Sequence, residues 1–232
     1  MKKAQLNIEI YHLIRKLLGN KIAKKLHFSL KKKKLLETKI IFIHVPKAAG
    51  TSISEVLYRQ RIGHYTLNEY IDLLGQKTLD NSYVFTVVRD PILRLYSAWK
   101  YAIEGGTETG GVHNPAFYKQ SGFQDFDSFV QNWLVKQDLK EVELLFRPQC
   151  YFIKSEKYKL QKENIFYVDN LEPLEKKLSD LKKSSIKLPR RNVIHDPSKN
   201  NKIPCIQSQT IEIIKKIYSC DYEEFFKVDY AN

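Results

Sequence analysis

Two short runs fix most of what this chain can become. Ile40-Ile41-Phe42-Ile43 and Tyr83-Val84-Phe85-Thr86-Val87-Val88 are almost unbroken apolar segments. They are too short for buried helices and lack the alternation of a strand with one wet face. Such runs belong in strands covered on both sides, which means a parallel sheet between layers of helix. Ile165-Phe166-Tyr167-Val168 reads as a third. The intervening segments supply helices over 51–59, 123–136, 171–183 and 208–219, and one that starts at Pro91 behind an Asp90 N-cap. Strands alternating with helices predict an α/β domain, a P-loop-like parallel sheet flanked by helices. Residues 184–206 hold three prolines among Ser, Asn and Lys and read as a long surface loop.

A chain of 232 residues suits one domain, or one domain with a tail. At that size roughly 70% of the unfolded surface can be buried, so covalent staples are not needed. Cys150, Cys205 and Cys220 are an odd, scattered set without a CxxC, which excludes a disulfide framework and a structural zinc site. No run of 18 apolar residues is present, and the first residues lack the apolar core of a secretory signal. A cytoplasmic location is expected.

The net charge of +13 is unevenly spread: residues 1–39 carry +10 of it and residues 40–232 the remaining +3. This divides the chain into a basic arm, 1–38, and a body, 39–232. Tyr11, Ile14, Leu18, Ile22 and Leu26 recur at helical spacing over 8–26, with Gly19-Asn20 as a candidate break and Lys31 to Lys34 as a solid basic run beyond. Two main readings of the arm stay open, with nucleic-acid contact a minor third. One is peripheral contact with an anionic membrane, at the inner face. The other is a helix packed on the body with its lysines solvated.

Directly after the first apolar run comes His44-Val45-Pro46-Lys47-Ala48-Ala49-Gly50-Thr51-Ser52. Small residues let backbone N–H groups approach a ligand, the following helix directs its free N–H groups and dipole at the same spot, and Lys47 adds charge. This chemistry suits a phosphate-type anion. The order is not that of a Walker A loop, because the lysine precedes the glycine by three. The second run ends in Arg89-Asp90-Pro91-Ile92-Leu93-Arg94-Leu95-Tyr96-Ser97. Arg89 stands at the carboxyl end of its strand, where open α/β sheets bind ligands.

These segments, PKxxGTS and RDPxxRxxS, resemble the 5′-phosphosulfate loop and the 3′-phosphate clamp of sulfotransferases that use PAPS (3′-phosphoadenosine 5′-phosphosulfate). The resemblance is strongest to the carbohydrate branch and to bacterial members, and it extends over 39–230 through Arg147-Pro148-Gln149-Cys150-Tyr151-Phe152, Asn164 to Leu171, and Asp221, Phe225 and Tyr230. It implies that Lys47, Ala48, Ala49, Gly50, Thr51 and Ser52 hold the 5′ side of the cofactor, and that Arg89 and Ser97 hold its 3′-phosphate. It further implies sulfuryl transfer to a glycan or glycolipid hydroxyl, with Lys47 stabilising the leaving group and no metal required. Arg94 reads as a structural ion-pairing residue.

A base for the acceptor hydroxyl must titrate near neutrality, which favours histidine. His12 and His27 lie on the arm, and His44 lies in the strand-end motif. Gly63-His64-Tyr65-Thr66 resembles the stretch of the 2-O-sulfotransferases whose histidine is the base, which points to His64. His113, in a glycine-rich stretch, is the runner-up. Asp125-Phe126-Asp127 matches a metal-binding DxD but precedes an apolar helical run and reads as a cap. Arg190-Arg191 sits in the proline-rich loop, within reach of a nucleotide or merely solvated. Two other classes remain at this stage: a nucleotide-dependent phosphotransferase using the same cradle, and a non-catalytic binder of anionic polymers.

Overall fold

A computed structural model describes residues 17, 19–107, 110–112, 114–189 and 205–226. Three strands, β1 (Ile40–Ile43), β2 (Tyr83–Val88) and β3 (Ile165–Tyr167), form a parallel sheet in the order β1-β2-β3. Ile40 pairs with Tyr83 and Ile43 with Thr86, and Thr86 and Val88 pair with Ile165 and Tyr167. All four β1 residues are buried, as are Val84 through Val88, in agreement with strands covered on both faces.

Helices cover the sheet: α1 (Asn20–Thr38), α2 (Gly50–Tyr58), α3 (Leu67–Leu74), α4 (Gln76–Asp80), α5 (Pro91–Ile103), α6 (Gln149–Ile153), α7 (Glu172–Lys182), α8 (Ser208–Ile217) and α9 (Ser219–Phe225). Two starts have a clear local cause. Asp90 accepts a hydrogen bond from Leu93 N (2.9 Å), and Pro91 opens α5. Thr66 and Glu69 close a reciprocal capping box on α3. β1 is an edge strand, and the edge is covered from within: the Tyr58 hydroxyl donates to Ile40 O (2.9 Å) and accepts from Phe42 N (3.1 Å), while Tyr70 donates to Phe42 O (3.3 Å). Those tyrosines satisfy backbone groups that would otherwise recruit another strand.

Several expectations need correction. The break at Gly19 is real, with φ +82°, but it opens a helix that runs to Thr38, straight through the lysine run; residues 8–16 lie outside the described set. One face of α1 is held to the body by buried Ala23, Phe28 and Leu35, by a Lys24–Glu69 ion pair (2.6 Å), and by Lys31 donating to the Arg61 carbonyl. The single helix expected over 123–136 is instead a sequence of α, π and 3-10 turns that seats Phe126, Phe129 and Trp133 in one aromatic cluster with Phe123 and Phe146. Of the loop over 184–206, Ile186 and Leu188 are buried, with Leu188 N donating to Glu175 (2.8 Å); Arg190-Arg191 and Tyr230 lie outside the described residues. Asp125 acts as a cap, accepting from Ser128 N (2.7 Å), while Asp127 accepts from Gln207 N (3.2 Å) and ties its turn to the residue before α8.

Candidate active site

β1 and β2 are parallel neighbours, so the loops leaving their carboxyl ends open side by side. The loop after β1 turns sharply: Lys47 and Ala49 both adopt left-handed backbone, φ +66° and +58°. For residues with a side chain this costs about 1–2 kcal/mol each, strain of a kind that collects at ligand sites. The turn brings the chain into α2 with Ala49 as N-cap, and Ala49 has no side chain to offer the helix. The first N–H groups of α2, on Gly50, Thr51 and Ser52, are therefore left for a ligand. Gly50 is required by space. A Cβ there would lie 1.8 Å from Cδ2 and 2.0 Å from Nε2 of the His44 ring.

Arg89 leaves β2 almost fully buried. Its Nη1 makes a long hydrogen bond (3.4 Å) to the Lys47 carbonyl, which ties the two strand ends together. Its Nε is buried and bonded to no atom of the described residues. Burial draws the guanidinium pKa down, while Asp169 and Asp90 oppose the shift. The ammonium of Lys47 sits 4.2 Å above the Tyr101 ring of α5. Burial and the Arg89 charge push its pKa down to about 8, with Glu104 pulling the other way.

His64 joins this group through His44. Its Nδ1 lies 3.1 Å from the His44 carbonyl, and the two rings are 4.1 Å apart. A carbonyl can only accept, so Nδ1 carries the proton and Nε2 is left with its lone pair. Burial pushes the His64 pKa down to about 4; the His44 carbonyl resists, and Lys24 and Lys47 reinforce the shift. At neutral pH this imidazole is an uncharged acceptor that feels the Lys47 charge. The His44 pKa is held far below its ordinary value by burial and by His64.

Lys47, Ala48, Ala49, Gly50, Thr51, Ser52, Arg89 and His64 are thus brought to one place. Ser97 is two turns into α5 and half-buried, outside the contacts just described. His113 is not among the described residues. Arg94 is structural, and among the described residues it acts through hydrogen bonds rather than an ion pair: its guanidinium donates to the Leu145 (3.1 Å) and Arg147 (2.8 Å) carbonyls and lies over the Tyr218 ring.

Two residues whose motifs were visible prove to have a job the sequence did not disclose. The Gln149 side chain grips the Arg89 backbone on both sides, accepting from Arg89 N (3.0 Å) and donating to Arg89 O (2.8 Å). Asp221, fully buried, accepts from Gln149 N and Cys150 N (2.9 Å each) and so caps α6 and fixes Gln149. Arg89 is set by a chain of contacts that ends at α9.

The sulfotransferase family model matches residues 36–227, which takes in the cradle, Arg89, Gln149 and Asp221. The chain belongs to the sulfotransferase family. Neither curated proteins nor solved structures gave a match. For a sulfotransferase the arrangement is coherent: a helix N-terminus without a side-chain cap at the end of β1, a clamped arginine at the end of β2, and a neutral imidazole beside His44. Among the described residues no group of His, Cys, Asp or Glu is placed to hold a metal ion, and no helix is long and apolar enough to cross a membrane.

Proposed function

We propose that this sulfotransferase transfers a sulfuryl group from PAPS to a hydroxyl of a carbohydrate acceptor, a glycan or glycolipid. The observation that carries the reading is the pairing of a helix N-terminus without a side-chain cap and a buried arginine with an orphan Nε, joined through the Lys47 carbonyl. These residues fit a nucleotide with phosphate-type groups at both ends: unpaired backbone N–H donors at one, a planar guanidinium at the other. When bound, the donor supplies the sulfuryl group and departs as adenosine 3′,5′-bisphosphate.

The N–H groups of Gly50, Thr51 and Ser52 hold the 5′ side, with the Ala48-Ala49 turn permitting close approach. Lys47 neutralises charge at the bridging oxygen; one such preorganised donor is worth about 3–4 kcal/mol of barrier. Arg89 and Ser97 hold the 3′-phosphate. His64 takes the acceptor proton on Nε2 while Nδ1 stays on the His44 carbonyl, a role worth about 10²–10⁴ in rate. The carbohydrate acceptor is supported by the Gly63-His64-Tyr65-Thr66 stretch and its resemblance to the 2-O-sulfotransferases.

Calorimetric titration with adenosine 3′,5′-bisphosphate, 5′-AMP and ATP, on the wild type and Arg89→Ala, tests the donor. Selective binding of the bisphosphate, lost in the variant, is expected. A preference for ATP, or no preference, overturns the reading.

A further inference from the structure

The outward face of α1 combines two properties that seldom coincide on a soluble surface. Ile22 (46% exposed), Leu26 (45%), Leu30 (81%) and Leu36 (41%) project from it. Ile22, Leu26 and Leu30 follow at four-residue spacing, and Leu36 lies four turns beyond Ile22, so all four share one side of the helix. Exposed Lys25, Lys33 and Lys34 are interleaved with them. Over its whole length α1 holds seven lysines against one glutamate. The opposite side is committed: Phe28 and Leu35 are buried in the body, and Lys24 and Lys31 are bonded to Glu69 and the Arg61 carbonyl.

From this we infer that the outward face of α1 is a docking surface for an anionic lipid bilayer, with α1 lying in the interfacial plane. The charge selects the partner. A protein groove would favour the leucines but not the lysines among them, and a nucleic acid would favour the lysines but gain nothing from four exposed aliphatic side chains. An anionic interface takes both, acyl boundary for the leucines and headgroups for the ammonium groups. Because α1 runs through Lys39 directly into β1, whose far end carries the anion cradle, docking would fix the orientation of the active site relative to the membrane. This inference does not rest on the donor or the acceptor proposed above.

The test is co-sedimentation of the full-length chain with vesicles of phosphatidylcholine alone and of phosphatidylcholine with phosphatidylglycerol. Wild type should bind the anionic vesicles and leave the neutral ones. Lys25→Gln/Lys33→Gln/Lys34→Gln should weaken binding about a hundredfold, about fivefold per lysine. Leu26→Ser/Leu30→Ser keeps every charge and should weaken it about tenfold per side chain. Both sets alter exposed positions, and unchanged melting curves verify their folding. Equal binding to the two vesicle types, or binding untouched by the leucine changes, overturns the inference. So does a wild type that ignores vesicles but binds heparin or DNA, which would make α1 a polyanion contact.

Discussion

The Gln149 clamp makes a strong demand on a residue that need never touch a ligand. In Gln149→Leu the volume is nearly kept, but both bonds to the Arg89 peptide disappear, leaving a buried N–H and a buried C=O without their 3.0 Å and 2.8 Å partners. Each such orphan costs about 1–3 kcal/mol. Leucine recovers part of this by apolar burial, so a net loss of about 3 kcal/mol is expected. For a chain of this size that lowers Tm by about 6–12 °C. The peptide is also what aims the Arg89 side chain. A misplaced guanidinium forfeits a charged hydrogen bond worth about 1.5–3 kcal/mol, so adenosine 3′,5′-bisphosphate should bind roughly ten- to a hundredfold more weakly. The companion variant is Arg89→Lys, which removes the fork but leaves the clamp; it should melt near the wild type and still bind poorly. Thermal melting and calorimetry on the same samples separate the two effects. If Gln149→Leu melts more than 6 °C lower yet binds as the wild type does, Gln149 is structural only and the positioning argument fails. If neither quantity moves, the clamp itself is refuted.

Gly50→Ala should abolish bisphosphate binding because its Cβ collides with the His44 ring, and adding His44→Ala should restore part of it; a fully active single variant would contradict this geometry. The profile of kcat/KM against pH should be a bell. It falls on the acid side as His64 gains a proton near pH 4 and on the alkaline side as Lys47 loses one near pH 8. An acid limb at pH 6.5 would mean that His64 is not buried as described, and a limb unmoved by His64→Ala would remove it as the base. Stability should also fall with acid. His27 and His64, each at about 4 when folded, are below the ordinary 6.5, so the unfolded chain binds more protons between those values. Their contribution is complete above pH 6.5 and is lost as pH falls to about 4, at up to about 1.4 kcal/mol per pH unit for each, measurable by urea titration.

What the sequence revealed was mostly what is local. β1 and β2 were legible because uninterrupted apolar runs have one comfortable fate, and the Asp90-Pro91 start of α5 because a cap is a short-range contact. The strand, turn and helix start around Lys47 were legible for the same reason: they lie within a dozen residues. α3 spans only eight residues, about two turns, too few for apolar periodicity to mark it, although Thr66-x-x-Glu69 signals its start. The packed-helix reading of the arm agrees with α1, but its extension past Leu26 was hidden because four successive lysines erase apolar periodicity, while its anchors, Phe28 and Leu35, are spaced two turns apart on either side of that run. The clamp on Arg89 was not readable at all. Gln149 and Asp221 could be noticed as motif letters, but their partners stand 60 and 72 residues away.

Those separations carry a consequence for how the enzyme comes into being. The cradle half of the site closes over short distances: Tyr58 returns to Ile40 and Phe42 across 18 and 16 residues, tying strand, turn and helix into a small ring. The arginine half closes only when the last described helix, bearing Asp221, reaches α6. Loop-closure entropy favours the near contacts first. A folding chain would therefore set the turn after β1 before it could orient Arg89, and under the proposed reading the competence to hold both ends of a nucleotide would arrive only with the Asp221 contact.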